Sequence, residues 1–344
     1  MGKCLVTKLQ GSVDNPNLLK IGEMPIYVKK STTAVSSQYQ LVILTSKYSE
    51  IKIVGDGYFT DSTMAENKGK TVSIPANTNT TVYFSNGDYY ALISNKYNIV
   101  SFKLTDDGTN KANYIYINID DLKYSKGLKD IKLSLSDSFG NTDTFRDKKL
   151  VNVYINNTNI EGDISHIDVT DLRNFNINAP KVSFALKALA GTTKLSSVSF
   201  SSNTLQTGDF AILKENANML YIGDIGEGFS FNTNIIPNFK SLKQNYINVL
   251  TDNASGDIGV LNDVISVITN NKIREYTYTG TSRTNILAVN NIKLSNIDKF
   301  LNDMSSLQPT SIKTMRLFGT RTSASDAAVQ TLQSNGYTVS ITPA

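Results

Sequence analysis

From Leu128 onward the chain repeats, and the repeat limits what it can fold into more than any motif does. A template of the form L-x-x-L-x-L-x-x-N-x-L fits five consecutive starts, Leu128, Leu150, Leu172, Leu195 and Ala217, spaced 22, 22, 23 and 22 residues apart. Its inner positions hold Ile131 and Leu133, Val153 and Ile155, Phe175 and Ile177, Val198 and Phe200, then Leu220 and Ile222. Wider-spaced copies begin at Ile273, with Tyr276 and Tyr278, and at Ile312, with Met315 and Leu317. A weak strand at 247–249 lies between them, and Tyr337-Val339-Ile341 closes the series. A unit of this length cannot bury an apolar face alone, so stacked units must share one core. The inner residues are therefore expected to form apolar ladders along a solenoid, with the residues between them facing outward. Amphipathic segments at 183–190, 210–216, 258–270, 297–307 and 324–334 fall where a helix on the far side of each unit belongs. Asn203 stands at the template's Asn position and is expected to bond exposed backbone; Thr158, Pro180, Thr281 and Thr320 replace it elsewhere.

Residues 1–98 are patterned differently. Apolar residues alternate at Leu41-Ile43, Ile51-Ile53, Val72-Ile74, Val82-Phe84 and Ala91-Ile93, separated by turn clusters rich in Gly, Pro, Asn and Asp. Period-two alternation predicts half-buried strands. The Asn86-Gly87 pair tolerates positive φ and predicts a hairpin between 81–84 and 89–94. The expected organisation is an N-terminal all-β, sandwich-like attachment domain (1–98), cap or linker strands (99–127), and an irregular α/β solenoid with parallel strands (128–344).

Composition removes most catalytic readings. The chain of 344 residues has one histidine, one cysteine and no tryptophan. No disulfide within the chain, paired-histidine motif or multi-cysteine zinc site is possible. Charged residues make up 19%, and the net charge of +4 includes no basic run suited to a polyanion, so no nucleic-acid partner is expected. Asparagine supplies about one residue in nine, roughly twice ordinary usage. His166 lies next to Ser165 and near Asp168, which is more simply a turn histidine than a triad. Cys4 has no neighbour that would activate it. The acidic turns at 106–110 and 252–257 lack the spacing of a calcium loop. No catalytic residue, cofactor or metal is expected. Tyr276 and Tyr278 occupy core positions, whereas Tyr221 takes an outward one and is the candidate binding residue. No apolar run reaches membrane-spanning length, so no membrane insertion is expected, and residues 1–7 contain no secretory h-region.

The 22-residue pattern resembles that of leucine-rich-repeat proteins, most closely the irregular, Asn-rich bacterial surface type. A second resemblance rests on MGKCLVTKL at residues 1–9, NLLKIGEM at 17–24 and TSASDAAVQTLQSNGY at 322–337. These segments resemble structural proteins of crAss-like and related tailed phages of gut Bacteroidales. That resemblance implies a non-enzymatic virion component: a head fibre, capsid decoration or tail accessory protein. It would be assembled in the host cytoplasm and released by lysis. Its implied partners are other virion proteins, copies of itself in a homo-oligomer such as a trimer, and a host-surface glycan or protein. Two other functions fit the same chain: a receptor- or glycan-binding adhesin, and a capsular polysaccharide depolymerase whose acid and base come from different repeats.

Overall fold

The structure is a computed structural model. It describes the backbone of the strands between 23 and 117, side chains included at 99–103, and most of 118–343 in full. Within that last range, 124, 135–137, 157, 201–203, 244–245, 262–266, 281–287 and 308–313 lie outside the described residues. Cys4, Asn203, Thr281 and the turn at 106–110 therefore lie outside them as well. The chain divides into two compact units, Met1–Ser183 and Phe184–Ala344.

The first unit begins with nine strands: β1 (Glu23–Lys30), β2 (Tyr39–Thr45), β3 (Ser49–Val54), β4 (Gly57–Phe59), β5 (Thr71–Ile74), β6 (Asn79–Phe84), β7 (Tyr90–Asn95), β8 (Ile99–Thr105) and β9 (Ile115–Ile117). Odd-numbered strands form one sheet in the order β5-β3-β7-β1-β9, and even-numbered strands lie in another in the order β8-β2-β6-β4. All these pairings are antiparallel. Successive strands thus alternate between sheets, and the expected Asn86-Gly87 hairpin does not form. Strand β6 pairs with β2 and β4, whereas β7 pairs with β1 and β3. A turn signal specifies a reversal of direction; which strands then pair is decided by non-local burial.

Strand β8 joins two architectures. One edge runs antiparallel to β2, and the other runs parallel to β10 (Asp130–Ser134). From there the unit winds as coils, each contributing a strand to two parallel sheets. The first sheet continues through β12 (Asn152–Asn156) to β14 (Asn174–Asn178). The second is built from β11 (Phe139–Asn141), β13 (Asn159–Asp163) and β15 (Lys181–Ala185). Register places Phe102, Ile131, Val153 and Phe175 side by side, with Leu133, Ile155 and Ile177 forming a second row. All seven side chains are buried. Each such burial stabilises by roughly 1.5–3 kcal/mol relative to exposure, and it happens only when neighbouring coils supply the walls.

In the second unit β16 (Ser197–Phe200) pairs in parallel with β18 (Tyr221–Ile222). Strands β17 (Gln206–Asp209), β20 (Phe229–Asn232) and β22 (Asn253–Ser255) continue a second-sheet ladder beside residues 184–185. A further parallel sheet has the order β19 (Asp224–Ile225), β21 (Tyr246–Val249), β23 (Val267–Tyr276), β24 (Ala288–Leu294), β25 (Thr314–Phe318) and β26 (Thr338–Thr342). Among the described residues two helices complete the unit, α1 (Ile297–Leu307) and α2 (Asp326–Ser334). These parallel coils are leucine-rich-repeat-like, and they depart from expectation in three places.

Leu220 does not enter the core; it is 37% exposed, while Met219, Ile222 and Ile225 are fully buried. Gly223 interrupts the strand there. Its first half pairs with β16 and its second half with β21, so the apolar rows shift by two residues from the template. The copy at Ile273 is also out of phase. Ile273 is 50% exposed, and Tyr276 and Tyr278, though buried, belong to the end of β23 and the turn after it. Finally, three expected helices are single 3-10 turns, Leu186–Leu189, Phe210–Leu213 and Ile258–Val260, and Val267 onward is strand. Leu186 and Leu189, like Phe210 and Leu213, are buried three residues apart, which satisfies a 3-10 turn as well as an α-helix.

Candidate functional site

The candidate site is the outward row of the first parallel sheet, built by the same register that aligns the core. In the first unit Asp130, Asn152 and Asn174 stand side by side, each one residue before an apolar ladder position, and the row ends against Ser101, which is buried. The Asn152 amide donates to the Asp130 carboxylate, and the Asn174 amide donates to the Asn152 carbonyl. Each amide is thus held by the coil before it, and the row has one direction. A parallel row holds Lys103, Lys132, Tyr154 and Asn176, with the Lys132 ammonium 5.5 Å from the centre of the Tyr154 ring. Both rows follow from strand alternation: when Val153 and Ile155 point inward, Asn152 and Tyr154 must point outward.

The second unit repeats the device. Asn248 donates to the Asp224 carboxylate at 2.7 Å from the neighbouring strand position. Tyr221 stands beside Ser197 in register, 37% exposed. Its ring approaches Gly223, where an added Cβ would also meet the Ser199 hydroxyl. The expected binding residue is therefore on the surface. The expected core residues Ile131, Leu133, Val153, Ile155, Phe175, Ile177, Val198, Phe200, Ile222, Tyr276, Tyr278, Met315 and Leu317 are all buried. Burial raises the Tyr276 hydroxyl pKa well above its ordinary value. Burial does the same at Tyr278, helped by its hydrogen bond to Asp303, so both remain neutral phenols.

The polar side chains singled out for chemistry have structural partners. The Asp163 carboxylate accepts the Ser165 backbone N–H at 2.8 Å and lies 3.7 Å from the exposed His166 imidazole within one turn. Asp168 accepts the Thr170 backbone N–H at 2.9 Å and its hydroxyl, and these bonds hold its carboxyl below the usual range. Asp252 pairs with Arg274 at 2.7 Å, and Asp257 accepts the Gly259 N–H at 2.8 Å. The acidic turn at 252–257 is therefore occupied in coil closure. Among the described residues no group of three or more His, Cys, Asp or Glu is gathered as a metal site would require. No helix among them is long and apolar enough to cross a membrane.

Two buried cations close coils from inside. Lys148 donates to the carbonyls of Lys123 at 3.0 Å and Ser125 at 3.2 Å. Burial, and then the neighbouring charge of Lys126, push its ammonium pKa below the usual lysine range. Arg274 donates to the carbonyls of Thr251 at 2.5 Å and Leu250 at 3.2 Å. Both add a hydrogen bond to backbone carbonyls of the preceding coil.

A second periodic feature, missed in the sequence, is an Asn or Asp at or just past the end of most second strands. Asn118, Asn141, Asp209, Asn232 and Asp257 each accept the backbone N–H two residues on, opening a 3-10 turn. Ala185 holds the same place without a side-chain cap. An open groove of about 660 Å³ lies there, lined by residues that include Lys187, Thr207, Asp209 and Lys214. Extending the 22-residue spacing from apolar to polar positions would have found both the caps and the amide row.

No family profile and no curated protein matches the chain. Among solved structures it is similar to an internalin (inlF) from Listeria monocytogenes, at 14% identity and a TM-score of 0.39, over 70% of this chain and 82% of the internalin.

Proposed function

We propose that the chain is a non-enzymatic structural and binding component of a tailed-phage virion, such as a head fibre, capsid decoration or tail accessory protein. In this reading residues 1–98 attach it to other virion proteins, and the outward rows of the parallel strands meet a protein or a host-surface glycan. The observation that carries the binding half is the directed amide row Asp130–Asn152–Asn174. Ordered amides beside Tyr154 suit hydroxyl-rich or peptide ligands, because they are held in place before contact and little ordering entropy remains to be lost. The virion half is supported by the resemblance of residues 1–9, 17–24 and 322–337 to phage structural proteins.

An adhesin on the same particle is the second reading, favoured by the half-exposed Tyr221 ring beside Ser197. Mass spectrometry of purified particles, with gold-labelled antibody against this chain in micrographs, tests the first. Finding the chain at a fixed site on the particle is expected, and its absence from particles refutes the proposal. For the adhesin, purified protein should bind susceptible cells, and Tyr221→Ala should weaken that binding several-fold without changing the circular dichroism spectrum.

A further inference from the structure

We infer that β26 pairs antiparallel with the β26 of a second copy of this chain, joining two copies about a two-fold axis. The inference is independent of the function proposed above and starts from the end of a ladder. Strand β26 is last in its sheet, bonded to β25 along one edge, and among the described residues nothing pairs with the other edge. Register continues the core into it: Met315 stands beside Val339 and Leu317 beside Ile341. Met315 and Leu317 are buried, whereas Val339 and Ile341 remain half-exposed. Among the described residues, the apolar rows therefore run to the last strand and nothing extends the sheet beyond it.

Sheet edges of this kind are normally protected by lysine, proline, a bulge or an overlying segment. Here no charged residue occurs from Ala327 to Ala344, Pro343 follows β26 instead of interrupting it, and the register with β25 is unbroken. The sequence of β26, Thr338-Val339-Ser340-Ile341-Thr342, also reads nearly the same in both directions. Paired antiparallel with itself about Ser340, it sets threonine opposite threonine, valine opposite isoleucine and serine opposite serine. Every such cross-strand pair is favourable, and no like charges meet across the axis. A neighbour of unrelated sequence has no such matching. The added strand would extend the sheet and cover the exposed sides of Val339 and Ile341.

The test uses the full chain. Sedimentation equilibrium should give twice the 37.8 kDa chain mass. Ser340→Lys, which sets two ammonium groups opposite each other, should return the mass to a single chain with an unchanged circular dichroism spectrum. In a Cys4→Ser background, Ser340→Cys should cross-link two copies on mild oxidation, because the two residues face each other within about 5 Å. Thr338→Cys should not, because its two copies stand roughly 13 Å apart along the strands. A single-chain mass overturns the inference. So does a trimer, a dimer that survives Ser340→Lys, or equal cross-linking at 338 and 340.

Discussion

Two stretches of the second unit build the same coil with different closures. Between residues 184 and 261 the strands are linked through 3-10 turns opened by Asp209, Asn232 and Asp257. Between residues 288 and 342 they are linked through α1 and α2. In both, a side chain at the second position of the helical segment bonds the backbone of the coil that follows. Asn234 accepts the Asp257 N–H at 3.1 Å, and Asp298 accepts the Thr322 N–H at 3.1 Å. The first unit has the same tie from Asp120 to the Asn141 N–H, at 2.9 Å. The tie between coils is thus common, and the type of helix is what varies. The difference lies in how closely successive closures approach. An added Cβ at Gly256, where φ is +109°, would overlap Thr233 and Asn232 of the preceding turn. At Gly280, with φ of +121°, it would meet the flexible side chains of Lys299, at 3.4 Å, and Asp303, at 3.9 Å. Of these two closures, the one at Gly256 is the tighter.

The largest test of this contrast is in the core of the coils closed by 3-10 turns. Phe200 stacks on Phe184 at 5.7 Å, lies 4.8 Å from Phe229 and meets Phe210 edge-on at 6.0 Å. Phe200→Ala should cost about 3–5 kcal/mol in urea unfolding, because rings from several coils lose a shared neighbour. Next comes the glycine pair. Gly256→Ala should destabilise by roughly 2–3 kcal/mol, from left-handed strain plus overlap, whereas Gly280→Ala should cost about 1 kcal/mol, from strain alone. Equal losses would mean that the two closures are spaced alike.

Smaller effects sharpen the role of the caps. Asp209→Ala should cost about 1 kcal/mol, and Ala185→Asn, which supplies the missing cap, should gain about 0.5–1 kcal/mol in the same assay. The smallest concerns pH and the α-helical closure. Burial alone would raise the Asp298 carboxyl pKa. The hydroxyls of Ser325 and Thr322, the Thr322 N–H and the nearby Arg321 outweigh it and hold the group below its ordinary value. A carboxyl that is a stronger acid when folded stabilises above its unfolded pKa, about 4, and that stabilisation is lost as pH falls through the folded value. Asp298→Asn should therefore flatten the acid limb of the melting-temperature profile and leave the response of the coils closed by 3-10 turns unchanged.

How much of this was readable in the sequence depends on how far each signal is local. The first-sheet ladder was readable because Ile131, Val153, Phe175 and Val198 recur at nearly constant spacing and nothing but stacking rewards that. The second strand of each coil was not. In Asn159–Asp163 only Ile160 is buried, so alternation has too little to show. The 3-10 turns resembled helices because one turn cannot separate a period of 3.0 from 3.6. By contrast, α1 buries Ile297, Phe300, Leu301 and Met304, a full helical stripe, and its expected bounds match. The amide row was overlooked because Asp130, Asn152 and Asn174 read singly as ordinary solvent-facing polar residues. Their alignment exists only once the coils are stacked. Tyr221, read from its outward position, lies where the reading put it, whereas Leu220 was misplaced by the break at Gly223.

The central claim is that consecutive coils stack in register, and paired cysteines on the outward row test it most directly. In a Cys4→Ser background, Asn152→Cys with Asn174→Cys should close a disulfide on mild oxidation, because the two residues are direct neighbours on parallel strands about 4.8 Å apart. Asn152→Cys with Asn178→Cys, displaced four residues along the partner strand, should stay reduced under the same conditions. Closure of the displaced pair, or failure of the aligned one in a folded chain, would contradict the stacked-coil account.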